Sequence, residues 1–124
     1  MYLPEKLPNV VTVPSGPYHE LAEAIRRGCV LRPHQAFNVY EDGLRVCALG
    51  AAALGSDILV RPVGPLGPSF HLTKELRHRF PLLMERTVMP CSHELEASVL
   101  EAVVHLNDSE RWSRERIADW LDAL

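Results

Sequence analysis

EAVVHLNDSERWSRERIADWLDAL, residues 101–124, reads as two amphipathic helices around a polar joint. Leu95, Val99, Ala102, Val103 and Leu106 recur at three- and four-residue spacing and mark one face of a long helix. Ile117, Trp120, Leu121 and Leu124 mark a face of the next one, so the spacing predicts a C-terminal helical hairpin. Within the joint, Asn107 suits the left-handed conformation at a helix end, Asp108 suits a bond to the turn backbone, and Ser113 is placed to cap the last helix. His105 falls in the final turn of the first helix, where a positive charge or a donor to the terminal carbonyls is favoured. The competing reading makes His105, Asn107 and Asp108 catalytic. The structural one is preferred because every polar residue of the joint already has a local task.

Working back along the chain, LTKELRHRFPLL (residues 72–83) predicts a helix capped by Thr73, with Leu76 and Phe80 turned to the core and Pro81 ending or bending it. RPVGPLGPS (residues 61–69) repeats glycine and proline too densely for regular structure and reads as a loop. CALGAAALG (residues 47–55) is continuously apolar and alanine-rich, which predicts a small buried helix stopped by Gly55, with Gly50 and the alanines allowing close packing. AFNVYEDGLRV (residues 36–46) alternates around Asp42-Gly43, a dipeptide suited to a type I′ turn, and predicts a β-hairpin. PYHELAEAIRRGCVL (residues 17–31) places Tyr18, Leu21, Ala22 and Ile25 on one helical stripe, with Pro17 at its start and Gly28 where a left-handed cap belongs. Residues 1–17 hold four prolines and read as an extended arm. The fold expected is therefore mainly α: a proline-rich arm over 1–17, then a single small domain over 18–124. Its parts are about four to five helices, a short β-hairpin and the C-terminal helical hairpin.

Composition agrees with one soluble domain. A chain of 124 residues can bury a core without disulfides or a structural metal, and 47% hydrophobic with 23% charged residues is the balance of an ordinary globular protein. Prolines and charges interrupt the amino terminus where a signal peptide needs an apolar run, and no segment reaches membrane-spanning length, so a cytoplasmic protein is expected. A net charge of -3 with interleaved signs gives no broad positive field for phosphate backbones. Three cysteines, Cys29, Cys47 and Cys91, at unrelated spacings argue for reduced thiols rather than a disulfide framework.

Three segments together, GLRVCALGAAALG, RHRFPLL and VVHLNDSERWSRERIADWL, resemble a set of small, functionally uncharacterised bacterial proteins. In that set a Gly-x-x-Cys-Ala-Leu-Gly-Ala stretch, a Phe-Pro turn and a closing His-Leu-Asn-Asp … Trp-[Ser/Thr]-Arg-Glu-x-Ile-Ala-Asp-Trp helix recur in order, and the likeness covers most of residues 18–122. The resemblance also implies a Cys-Pro-x-Cys pair before the long helix and a second histidine five residues after the first, an arrangement like a two-cysteine, two-histidine zinc site. This chain has Cys91 and His105 at matching positions but Glu94 and Glu110 in the other two, with His93 a nearby substitute. Zinc accepts carboxylate oxygen, yet structural zinc favours thiolate and imidazole, so the set Cys91, Glu94, His105 and Glu110 is expected to hold no tightly bound metal.

A second constellation joins Cys47, at the entrance of the alanine-rich helix, with His105, Asn107 and Asp108. A helix dipole can stabilise a thiolate there, and an oriented histidine can serve as its base. A small thiol among Val46, Ala48 and Leu49 is also an ordinary core residue, the reading preferred here. No phosphate-binding glycine loop, dinucleotide fingerprint or paired-histidine metal helix is present, and no cofactor is expected. These observations point to a non-enzymatic protein-interaction or accessory module that binds a protein partner or itself. The alternative is a small metal- or thiol-dependent enzyme using Cys47 or the Cys91/His105 region. A helix-turn-helix reading, drawn from Arg114 and Arg116 near the start of the last helix, is opposed by Glu115, Asp119 and Asp122 on the same helix.

Overall fold

The alanine-rich helix is the centre of the molecule. In the computed structural model, which describes residues 16–38, 45–58, 67–91 and 95–124 and gives residues 67–71 as backbone only, it runs Ala48–Gly55 and buries every residue from Ala48 to Ala53. A helix that is apolar all round has no face to offer water, so its neighbours must surround it. In chain order the elements are α1 (His19–Leu31), β1 (His34–Gln35), β2 (Arg45–Val46), α2 (Ala48–Gly55) and α3 (Gly67–Arg79). A 3-10 turn (Pro81–Met84), β3 (Arg86–Val88), β4 (Glu96–Ser98), α4 (Val99–Asp108) and α5 (Arg114–Ala123) follow. The fold is mainly helical, with five α-helices and two small two-stranded sheets among the described residues, and none of the helices is long and apolar enough to cross a membrane.

α1 crosses α2 at backbone contact. A Cβ added to Gly28 would overlap the Ala51 carbonyl, and one added to Gly55 would overlap the Ala24 carbonyl, so each helix contributes a glycine that lets the other's backbone in. Gly28 is therefore not the helix cap its sequence context predicts: α1 continues through Cys29 to Leu31, and the missing side chain serves packing. α1 also carries α5, with Leu21, Ala22 and Ile25 buried on one side and Ile117, Ala118 and Leu121 on the other, all within one core cluster. Arg26 bridges the two helices through Asp119 and Asp122, each at 2.7 Å, while His19 Nδ1 lies 2.8 Å from the same Asp122.

Several predicted boundaries move, each for a physical reason. α3 begins at Gly67 rather than at Thr73, because Pro68 stands in the first turn, where its missing N–H leaves no helical bond unmade. The Gly67–Ser69 part of the predicted loop is thus helix, while residues 61–66 lie outside the described residues. α4 starts at Val99, not near Leu95, because Ser98 and Glu101 form a reciprocal capping box: Ser98 Oγ accepts from the Glu101 amide at 3.1 Å, and Glu101 Oε1 accepts from the Ser98 amide at 3.0 Å. The Ser98 amide, and after it the Ser98 hydroxyl, hold the Glu101 carboxyl below its ordinary pKa. Leu95 sits instead in the β3–β4 connection and is 57% exposed.

The short antiparallel hairpin of the fold is β3–β4, with Thr87 opposite Ala97. The segment around Asp42-Gly43 is different. Gln35 pairs with Val46 in a parallel register, which a two-residue turn cannot connect, so β1 and β2 are not the arms of a hairpin. The dipeptide itself, like arm residues 1–15, lies outside the described residues.

Candidate functional site

α4 brings together most of the polar residues singled out in the sequence, and they divide into two groups. The first is a buried hub. Asn107, 1% exposed, accepts at Oδ1 from Gln35 Nε2 (2.8 Å) and from the Ala48 amide (3.0 Å). Its Nδ2 donates to the Ala36 carbonyl (3.0 Å) and to Asp108 Oδ1 (2.7 Å). An amide side chain offers two donors and two acceptor lone pairs, so the side chain is fully used. Asp108 in turn accepts from the Asn38 amide at 2.8 Å, and Asn38 is in the left-handed region with φ 66°.

Arg114 extends the hub. It is 2% exposed and donates to the carbonyls of Arg32 (2.7 Å), Pro33 (2.7 Å) and Val46 (3.3 Å), while its Nε is buried without a partner among the described residues. Together Asn107 and Arg114 fasten residues 32–36 and 46–48 to the C-terminal helices and supply the first amide of α2 with an acceptor. Arg116 lies 3.7 Å from the centre of the Trp112 ring. The two arginines that suggested a nucleic-acid contact are therefore engaged within the molecule.

The left-handed residue of the joint is Arg111, with φ 55°, and not Asn107, which stays within α4. Around Arg111 the chain folds back on α4. Ser109 and Glu110 amides both donate to the His105 carbonyl, at 2.9 and 3.1 Å, and the Trp112 amide donates to Leu106. Ser113 caps α5 as its position predicts, accepting from the Arg116 amide at 3.1 Å.

The second group is produced by that fold-back. Glu110 is carried over the end of α4 so that its Oε2 lies 3.0 Å from His105 Nε2, and Cys91, just beyond β3, brings its Sγ to 3.7 Å from the same nitrogen. The three donor atoms lie within 4.8 Å of one another, all on half-buried residues. A small apolar cluster of Met89, Ala97 and Ala102 packs against Cys91 and Trp120 and supports this corner. Of the four residues the resemblance marks, three converge; Glu94, like His93, lies outside the described residues. Zinc bonds of about 2.3 Å to sulfur and 2.0–2.2 Å to nitrogen and oxygen place neighbouring donors about 3.4–3.6 Å apart in a tetrahedral site. The 3.7 Å from sulfur to nitrogen and the 3.0 Å from nitrogen to oxygen lie on either side of that spacing, and thiolate, imidazole and carboxylate are donor types that zinc accepts.

Cys47 belongs elsewhere. It is the N-cap of α2, 6% exposed, with Sγ accepting from the Gly50 amide at 3.4 Å. Burial pushes its thiol up to about 11, outweighing the stabilisation a thiolate draws from the helix amides. His105 faces Cys91 and Glu110 rather than this thiol, and Asn107 and Asp108 are engaged with each other, with Gln35 and with backbone groups. A further group, His19, Glu23 and Asp122, converges at the α1–α5 seam with the Arg26 guanidinium among its carboxylates.

Compared with known proteins, the chain matches no family model, no curated protein and no solved structure.

Proposed function

We propose that this chain is a non-enzymatic interaction or accessory module that binds a protein partner or a second copy of itself, in a cytoplasmic setting that keeps its thiols reduced. The observation that supports it most is the exposure of Leu82, Met84, Val88 and Leu95, four large apolar side chains close together in the sequence. Of the catalytic candidates in the closing motif, Asn107 and Asp108 are bonded to each other and to backbone groups of Ala36, Asn38 and Ala48, and Cys47 is a core thiol.

A Val88→Lys/Leu95→Lys variant tests this reading, compared with wild type by light scattering over a range of concentrations and by co-purification from the native host. A specific complex lost in the variant, with the melting temperature unchanged, supports the module. Identical association by both proteins removes this surface from consideration. A second reading, a small metal-dependent enzyme, draws support from the convergence of Cys91, His105 and Glu110; chemistry at Cys47 draws none.

A further inference from the structure

We propose that Cys91, His105 and Glu110 bind a borderline-soft divalent cation of the zinc class, with one donor each from the β3–β4 connection, the last turn of α4 and the α4–α5 joint. Their arrangement distinguishes this from nucleophilic catalysis. In a thiol–imidazole–carboxylate relay the nucleophile and the orienting acid meet opposite nitrogens of the ring. Here Cys91 Sγ and Glu110 Oε2 both meet Nε2. Three different donor atoms gathered within 4.8 Å of one another are what a cation requires, and sulfur, imidazole nitrogen and carboxylate oxygen are all zinc ligands.

Two objections visible in the sequence are met by the structure. One is that a glutamate is a long side chain whose ordering costs entropy. Glu110, however, is held at the backbone by its own amide bond to the His105 carbonyl and by the left-handed turn at Arg111, so much of that ordering precedes any ligand. The other is that Glu110 would pair with Arg111 or Arg114 instead. The Arg111 guanidinium lies over the Phe37 ring, 4.3 Å from its centre, and Arg114 is buried among the carbonyls of residues 32–46. Cys91 is likewise fixed, its amide bonded to the Met89 carbonyl at 2.9 Å and its flank packed on the small apolar cluster. The donors are thus set on short, constrained backbone.

The experiment uses the full chain, stripped with a chelator and then titrated with zinc or cobalt(II). Cobalt is expected to give a near-ultraviolet thiolate charge-transfer band that Cys91→Ser abolishes, and zinc to raise the melting temperature with the logarithm of its free concentration once that exceeds Kd. His105→Ala and Glu110→Gln are each expected to weaken zinc binding by at least the roughly tenfold that losing even an outer-shell partner costs. Because a variant can fail to fold, the wild type supplies its own control: one equivalent of zinc should shield Cys91 from a thiol reagent. Cobalt bound without the charge-transfer band, zinc that leaves Cys91 labelling unchanged, or equal zinc stabilisation of wild type and folded Cys91→Ser would overturn the assignment.

Discussion

Asn107 is the residue on which the chain's long-range connections converge. Replacing it with alanine leaves the Ala48 amide and the Ala36 carbonyl buried without their partner, and each such group costs about 1–3 kcal/mol. Asn107→Ala is therefore expected to lower stability by on the order of 3 kcal/mol, read as a fall in the denaturant midpoint at unchanged slope. Asp108→Ala, which removes an acceptor from the Asn38 amide at a site open to water, should cost about 1 kcal/mol. A drop of less than 1 kcal/mol for Asn107→Ala would show that water replaces the hub. Little of this was legible beforehand. The partners of Asn107 and Arg114 lie at residues 32–36 and 46–48, and no local pattern in a sequence connects a joint to positions some 60–80 residues away. Cys91, His105 and Glu110 were readable as a set only through the resemblance, since 14 and 5 residues are not spacings that periodicity selects.

At the scale of elements, the α1–α2 crossing rests on Gly28 and Gly55. Overpacking ordinarily costs about 1–3 kcal/mol because side chains can yield, but here the opposing atoms are backbone carbonyls. Gly28→Ala and Gly55→Ala are each expected to cost about 3 kcal/mol or more, whereas Ser56→Ala next to Gly55 should cost about 1 kcal/mol for its bond to the Ala52 carbonyl. Urea melts of the three variants check the contrast, and equal, small losses would mean that the helices simply move apart. The helical periods of α1, α4 and α5 were plain in the sequence because burial of one stripe is a local, repeating demand, and α2 was legible as an unbroken apolar run. The misreadings share a different cause. Glycine is written the same whether it caps a helix, as predicted for Gly28, or admits a neighbour; and Asp-Gly favours a tight turn without deciding which strands pair, which here is settled by the parallel fit of His34–Gln35 to Arg45–Val46.

For the whole molecule, the core cysteines set a response to pH. Burial pushes both Cys29 and Cys47 up to about 11 from an ordinary 9.0, so the folded chain holds these protons more tightly than the unfolded one. That contribution is complete below pH 9 and is lost as pH rises from there toward 11. Stability should accordingly fall over this range, and a Cys29→Ala/Cys47→Ala chain, though less stable at neutrality, should show a shallower alkaline slope in denaturation series. An unchanged slope would place the thiols in contact with water. At the acid end Asp122 works in the opposite sense: burial pushes its carboxyl up, but the bonds from His19 and Arg26 bring it below 3.8 overall, so the α1–α5 seam loosens as pH drops through that region.

The acceptor that Asn107 provides for α2 also alters how the molecule breathes. The first amides of a helix normally lack internal partners and trade their hydrogens with solvent through local fraying. The Ala48 amide is instead bonded to a side chain 59 residues further along, inside the packed core. It can reach deuterium only when α4 separates from α2, so a position at the very edge of an eight-residue helix exchanges on the timescale of global opening and reports the stability of the entire fold.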